Sequence, residues 1–184
     1  MANGANDVIV VGGGIIGCLT AYLLAREGLK VILLEADAVG SHASGFAFGG
    51  LSPLEGAGIP DPLLGFSVWC MQRHSTLGQE LLDASGVDTQ FHVRDRLNLA
   101  FDESEVRRAK KQLEWQKDVK GFRSEWLDRE EALKVEPRVN PAILGAAYAQ
   151  GTGAVEAYRY NLAAAQAAEK FGAEVALRRG DRSD

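Results

Sequence analysis

The chain has 184 residues, with 20 Lys plus Arg against 25 Asp plus Glu and a formal net charge of −5. With 46% hydrophobic and 24% charged residues, it reads as a globular protein long enough to bury a core, not a disordered one. The acidic balance argues against a nucleic-acid surface, and Cys18 and Cys70 alone exclude a multi-bridge secreted scaffold.

His42, His74 and His92 share no close ligand spacing, so no metal site is expected. The apolar run Val8 to Leu24 is interrupted by glycines and no basic residue precedes it. It resembles neither a signal peptide nor a transmembrane segment, and a cytoplasmic chain is the expectation. Gly is in excess: 21 residues against the ~13 of average usage.

Val8 to Val11 reads as a buried strand, because consecutive β-branched residues favour strand over helix. A glycine turn follows, then a helix from Ile15 to Glu27 ending at Gly28. Lys30 to Leu34 is a second apolar strand closed by Glu35. Strand, helix and strand form a βαβ unit, and two apolar strands suggest a parallel sheet covered on both faces. Residues 36–62, rich in Gly and Pro, read as a long loop.

Leu63 to Ser85 reads as a helix with Phe66, Cys70, Leu77 and Leu81 on one side, stopped by Gly86. Residues 91–93 and 97–101 read as two short strands joined by Arg94-Asp95-Arg96. Asp102 to Val119 is an amphipathic helix with Val106, Ala109 and Leu113 inward. Ser124 is expected to cap a helix running through Leu133. A strand at 144–149, an alanine-rich helix at 158–171 and a strand from Val175 complete the series.

Gly12-Gly13-Gly14-Ile15-Ile16-Gly17 has the G-x-G-x-x-G spacing. Gly12 permits a sharp turn, Gly14 a close approach of pyrophosphate, and Gly17 close packing of helix on sheet. Unpaired N–H groups at the helix start then face the phosphates. Glu35, ending the next strand, suits the hydroxyls of an adenosine ribose and disfavours a 2′-phosphate of like charge. FAD and NAD share this first unit.

Beyond that motif, the stretches VIVVGGGIIG, LLEAD, GSHASGFAFGGLSP, ELLDASGVD, LNLAFDESEV and GAAYAQGTGAVEAYRYNLAAAQAAEKFGAEV resemble the D-amino-acid oxidase (DAO) superfamily of flavoproteins. Within it, the glycine oxidase and sarcosine-oxidase-like families are the most similar. The resemblance runs from Asp7 to Leu177 and implies an N-terminal half. It implies an α/β fold, a Rossmann-like FAD-binding βαβ domain with part of an interleaved α+β substrate domain. The expected divisions are 1–85 for the FAD-binding start, 86–150 for the partial substrate domain, and 151–184 for an incomplete return.

In such proteins the backbone at Ile15 and Ile16 faces the pyrophosphate, and Glu35 with Ala36 meets the ribose. Ala43-Ser44 lies near the pyrophosphate and ribityl chain, and Phe48-Gly49-Gly50-Leu51 passes the flavin ring. The cofactor implied is FAD. The activity implied is oxidation of the CH–NH bond of a small amine or amino acid. A flavin-dependent 2-hydroxy-acid dehydrogenase or oxidase, a non-catalytic FAD-binding subunit or truncated fragment, and an NAD-dependent enzyme are the competing readings.

His42 is the one catalytic candidate, set against a loop histidine satisfied by a neighbouring carbonyl. His74, His92, Cys18 and Cys70 read as structural, Arg107 to Lys111 as a solvated face, and Trp69, Trp115 and Trp126 as packing residues. Two departures from the family stand out. Glu156-Ala157 occupies an Asp-Pro position, and Asp181, in a polar tail, falls where a Val usually meets adenine. The family's substrate-holding arginine and tyrosine have no counterpart on this chain. Apolar strands without a full set of partners imply association with a second chain or second copy.

Overall fold

A computed structural model describes residues 5–177, so the tail containing Asp181 lies outside the described residues. The elements in chain order are β1 (Val8–Val11), α1 (Ile15–Arg26), β2 (Val31–Glu35), β3 (Gly50–Leu51), α2 (Leu64–Ser85), β4 (His92–Ala100), α3 (Glu103–Gln116), β5 (Arg123–Asp128), α4 (Arg129–Val135), β6 (Gly145–Ala154), α5 (Ala157–Lys170) and β7 (Glu174–Leu177). They form two compact units. One comprises the chain up to Gly49, Gln72–Phe91 and the chain from Val155; the other comprises Gly50–Met71 and His92–Ala154.

The first unit holds a parallel sheet in the order β1-β2-β7. Val10 pairs with Leu33, and Leu33 with Val175. Strands alternate their side chains, so Val8, Val10, Val31, Leu33 and Val175 share one face. These residues join the core with Cys18, Ala21, Tyr22 and Ala25 of α1 and Ala163, Ala164, Ala167 and Ala168 of α5. Alanine at those four positions lets α5 approach closely, and Tyr22 fills the end of the layer, 5.8 Å from the Phe171 ring. The opposite face carries Ile9, Val11 and Leu34, which are 63%, 81% and 38% exposed. The apolar strands predict cover on both faces; among the described residues only one face is covered.

The second unit is an antiparallel sheet centred on β6. β4 pairs along its length, while β5 and β3 share the other edge. Ala132, Ile143 and Ala146 form a small core with Leu97, Leu99 and Leu127.

Several local expectations are corrected. The two strands expected at 91–93 and 97–101 are one, β4, interrupted only by a register shift between Arg94 and Arg96. Two residues of β6, Gln150 and Gly151, stand opposite Asp95, and Gly151 has φ +85°. The bulge lets the polar triplet stay within the ladder. The Ser124-capped helix does not form. Ser124 lies in β5, and the helix begins at Arg129 behind Asp128. Asp128 accepts from the Glu131 N–H while Glu131 accepts from the Asp128 N–H, both at 2.9 Å. This reciprocal capping box sets the start point. β6 extends five residues beyond the expected Ala149 end, and β3 interrupts the 36–62 loop. On α2, Leu77 and Leu81 are buried but Phe66 is exposed, and Cys70 is half-buried.

No helix among the described residues is long and apolar enough to cross a membrane, and none of them form a group of three or more metal-ligating side chains.

Candidate dinucleotide site

The turn between β1 and α1 is built by glycine chemistry. Gly12 has φ +105°, and its N–H donates to the Leu34 carbonyl at 2.7 Å, tying the turn to the end of β2. A Cβ on Gly17 would fall 1.9 Å from the Gly12 carbonyl oxygen, so α1 reaches this position only without a side chain there. Gly14 is the N-cap of α1, contributes no side-chain cap, and the first turn holds no acidic residue. The positive end of the helix is left for an external anion.

A cavity of about 160 Å³ opens at this turn, lined by Gly13, Gly14, Glu35, Ala38 and the run Gly40 to Ser44. Ser44 Oγ accepts from the Ile15 N–H at 3.0 Å. Glu35 accepts from the Gly13 N–H at 2.5 Å and from the Asp37 N–H at 2.8 Å. The Asp37 N–H, then the Gly13 N–H, hold the Glu35 carboxyl below the usual range. Gly12, Gly14, Gly17, Glu35 and Ser44 are thus brought together. Ile16 is 78% exposed, and Ala36 and Ala43 are also exposed. Phe48 is largely exposed, Gly49 has φ +76°, and Gly50 with Leu51 forms β3.

Three contributors escape a reading of the motif alone. Asn161, fully buried on α5, donates from Nδ2 to the Gly13 carbonyl at 2.9 Å. The Gly40 N–H reaches the same carbonyl at 3.0 Å. Ser41 lines the cavity with an Oγ that is buried and unpartnered. A lone Asn among the alanines of α5 is the only sequence signal for the first. The other two open the GSHASG stretch, which marks the loop but not their contacts.

His42 Nε2 lies 2.6 Å from Asp37 Oδ2, and both side chains are mostly exposed. Cys18 is fully buried, and burial, reinforced by the Glu35 charge, pushes its thiol up to about 11. It is an inert thiol at neutral pH. His74 stacks beside Phe91 and lies 2.7 Å from the Tyr160 hydroxyl. Arg107, Arg108, Lys110 and Lys111 face solvent.

Residues 7–180 match the family described as DAO, FAD dependent oxidoreductase. The chain belongs to this family. The glycine oxidase of Bacillus subtilis (strain 168) is 33% identical over 169 residues, covering 92% of this chain and 44% of that protein. The crystal structure of glycine oxidase from Geobacillus kaustophilus superposes with a TM-score of 0.89 at 31% identity, covering 94% of this chain and 46% of that one. One of the opine oxidase subunits of Agrobacterium tumefaciens (strain Ach5) is 29% identical over 173 residues, covering 91% of this chain and 46% of that protein. The chain therefore spans somewhat under half the length of these DAO-family relatives, and it shares their α/β fold.

Proposed function

We propose that this chain supplies the dinucleotide-binding part of an FAD-dependent oxidoreductase that oxidises the CH–NH bond of a small amine or amino acid. The carrying observation is the cavity at the Gly12–Gly17 turn, with helix N–H groups on one side and Glu35 on the other.

The residues fit an FAD. Whole-ligand pockets run to roughly 300–1,000 Å³, so a cavity of about 160 Å³ suits a diphosphate and adjoining ribose. A Cβ on Gly14 would come 2.9 Å from Ser44 Oγ, so glycine leaves the serine hydroxyl its place at the helix start. The unpartnered Ser41 Oγ is a donor in search of an acceptor. Ser44, now on the Ile15 N–H, can turn its own proton toward a phosphate oxygen. Glu35, ionised and preset by two backbone N–H groups, can accept from ribose hydroxyls. FAD held here would supply a two-electron acceptor for the hydrogen on the carbon beside the amine nitrogen, and hydrolysis of the resulting imine would give a carbonyl product and ammonia or the corresponding amine. Gly12, Gly14, Ile15, Ile16, Gly17, Glu35, Ala36, Ala43, Ser44 and the segment Phe48 to Leu51 are the residues assigned to the cofactor. His42, held by Asp37, is given no proton-transfer role, because a neutral amine can lose hydride without a side-chain base.

A second chain or second copy completes the fold. The open Ile9, Val11 and Leu34 face supports this, as does a relative that is itself one of the subunits of an opine oxidase. The test is purification of the complete assembly, followed by its visible spectrum and anaerobic addition of glycine or sarcosine. A flavin band that bleaches is expected. A colourless assembly that stays colourless after FAD addition overturns the reading.

A further inference from the structure

We propose that Asn161 is a positioning residue for the cofactor: its side-chain amide fixes the Gly13–Gly14 peptide so that the Gly14 N–H faces the diphosphate. The proposal rests on the FAD-binding reading and adds what keeps the phosphate turn in its binding orientation.

The Gly13–Gly14 peptide is trans, so the Gly13 carbonyl and the Gly14 N–H point in opposite directions from one plane. Turning that plane over changes ψ of Gly13 and φ of Gly14, and a glycine on each side makes the rotation cheap. The glycine run therefore does not select its own orientation. The contacts of the carbonyl do. It accepts from Asn161 Nδ2 at 2.9 Å, from the Gly40 N–H at 3.0 Å and from the Cys18 thiol at 3.4 Å. Asn161 and Cys18 are fully buried, so these donors draw the carbonyl inward. The Gly14 N–H then points the other way, at the cavity that Gly14 lines, and meets no acceptor among the described residues.

Of the three donors, Asn161 is the strong and rigid one. The Gly40 N–H belongs to a loop, and a thiol donates weakly. Asn161 stands on α5 among the buried Ala163, Ala164, Ala165, Ala167 and Ala168. An asparagine kept for packing would bond through both ends of its amide. Here Oδ1 is buried and unpartnered, a penalty that an alanine at this position would not carry. What the amide supplies instead is a donor to the turn and a seat for the loop. A Cβ on Gly40 would come 2.9 Å from Nδ2, so the loop backbone lies directly against the amide. One side chain thus touches both walls of the cavity, at Gly13 and at Gly40.

An N–H aimed at phosphate helps only ligands that carry phosphate, and the test uses that difference. The flavin-free complete assembly is titrated with ADP and with adenosine, as wild type, Asn161→Leu and Ala168→Gly, and the unfolding midpoint of each is measured. Leucine is close to asparagine in shape and has no donor. Ala168→Gly weakens α5 two turns farther along the same face and leaves the amide in place. Asn161→Leu is expected to raise the ADP Kd about tenfold, the loss of one hydrogen bond, with the adenosine Kd unchanged. Ala168→Gly is expected to lower the midpoint with both Kd values unchanged.

Equal weakening of ADP and adenosine, or an ADP Kd that simply follows the midpoint across the variants, makes Asn161 a packing residue and overturns the proposal. If leucine prevents assembly, Asn161→Ala, smaller and equally without a donor, is read the same way. Failure of both to assemble places Asn161 in the core alone, which also overturns it. ADP bound equally by wild type and Asn161→Leu sinks the proposal and leaves the dinucleotide reading standing. A wild-type assembly that binds neither ADP nor adenosine sinks both.

Discussion

At the scale of single residues, the turn at Gly12 is specified by atoms that leave no room. A methyl at Gly17 would overlap a backbone carbonyl, which cannot rotate aside as a side chain can. Gly17→Ala is expected to cost about 3 kcal/mol or more, read as a lower midpoint in urea, and to release flavin from the assembly. Glu35 acts through charge. Its folded-state pKa lies below the unfolded value, because the Asp37 and Gly13 N–H groups favour the carboxylate. The stability it contributes is present above about pH 4.3 and is lost as pH falls through the lower folded value. Glu35→Gln should remove that acid-side dependence, so Tm profiles of variant and wild type converge at low pH and separate at neutral pH. The same variant should weaken FAD retention, since an amide cannot offer two ionised acceptors to the ribose. The spacing of the glycines and of Glu35 is readable in the sequence because each has a local geometric duty. Asn161 is not, since its partner, the Gly13 carbonyl, lies 148 residues away.

At the scale of elements, the parallel strands and the helices α1 and α5 follow directly from apolar runs closed by glycine. The second unit is harder to read. Arg94-Asp95-Arg96 looks like a turn, yet the ladder absorbs it, because β6 supplies a glycine bulge opposite. Asp128-x-x-Glu131 is a legible start signal that Ser124 obscures, and the pairing of Arg123 to Asp128 with β6, Ser124 opposite Ala149, places the serine in the strand. One contact between elements has a pH signature. His74 Nδ1 on α2 shares a 2.7 Å hydrogen bond with the Tyr160 hydroxyl on α5, and burial, then the Arg73 charge, lowers the imidazole pKa. The Arg73–Glu80–Arg26 group is the charged neighbourhood on this side. The neutral form is therefore the folded one: stability is complete above about pH 6.5 and falls as pH drops through that value toward the folded pKa. His74→Leu should flatten the profile between pH 5 and 7. It should also cost about 1–2 kcal/mol at pH 8, because the Tyr160 hydroxyl loses its hydrogen-bond partner. Equal pH slopes for the two proteins in thermal unfolding would refute this account.

At the scale of the whole molecule, the parallel sheet is covered on one face only among the described residues. Parallel strands normally lie between two covering layers, and β1 also has an edge that pairs with nothing among the described residues. Ile9 and Val11 project from this edge strand on the open side, 63% and 81% exposed. An apolar, flat edge of this kind recruits other chains. The isolated chain should therefore associate in sedimentation experiments, and Val11→Asp should return it toward a monomer with little change in its own unfolding midpoint. In the completed assembly the same substitution should act oppositely. On the proposal that a second chain or copy covers the valine there, its loss removes about 1.5–3 kcal/mol of apolar burial and adds the desolvation of a carboxylate. A variant that leaves both states unchanged would mean that nothing covers this face. A variant that harms the isolated chain as much as the assembly would place the valine in the core of the chain itself. Opposite responses of the two states are thus the signature of a sheet whose second layer comes from elsewhere.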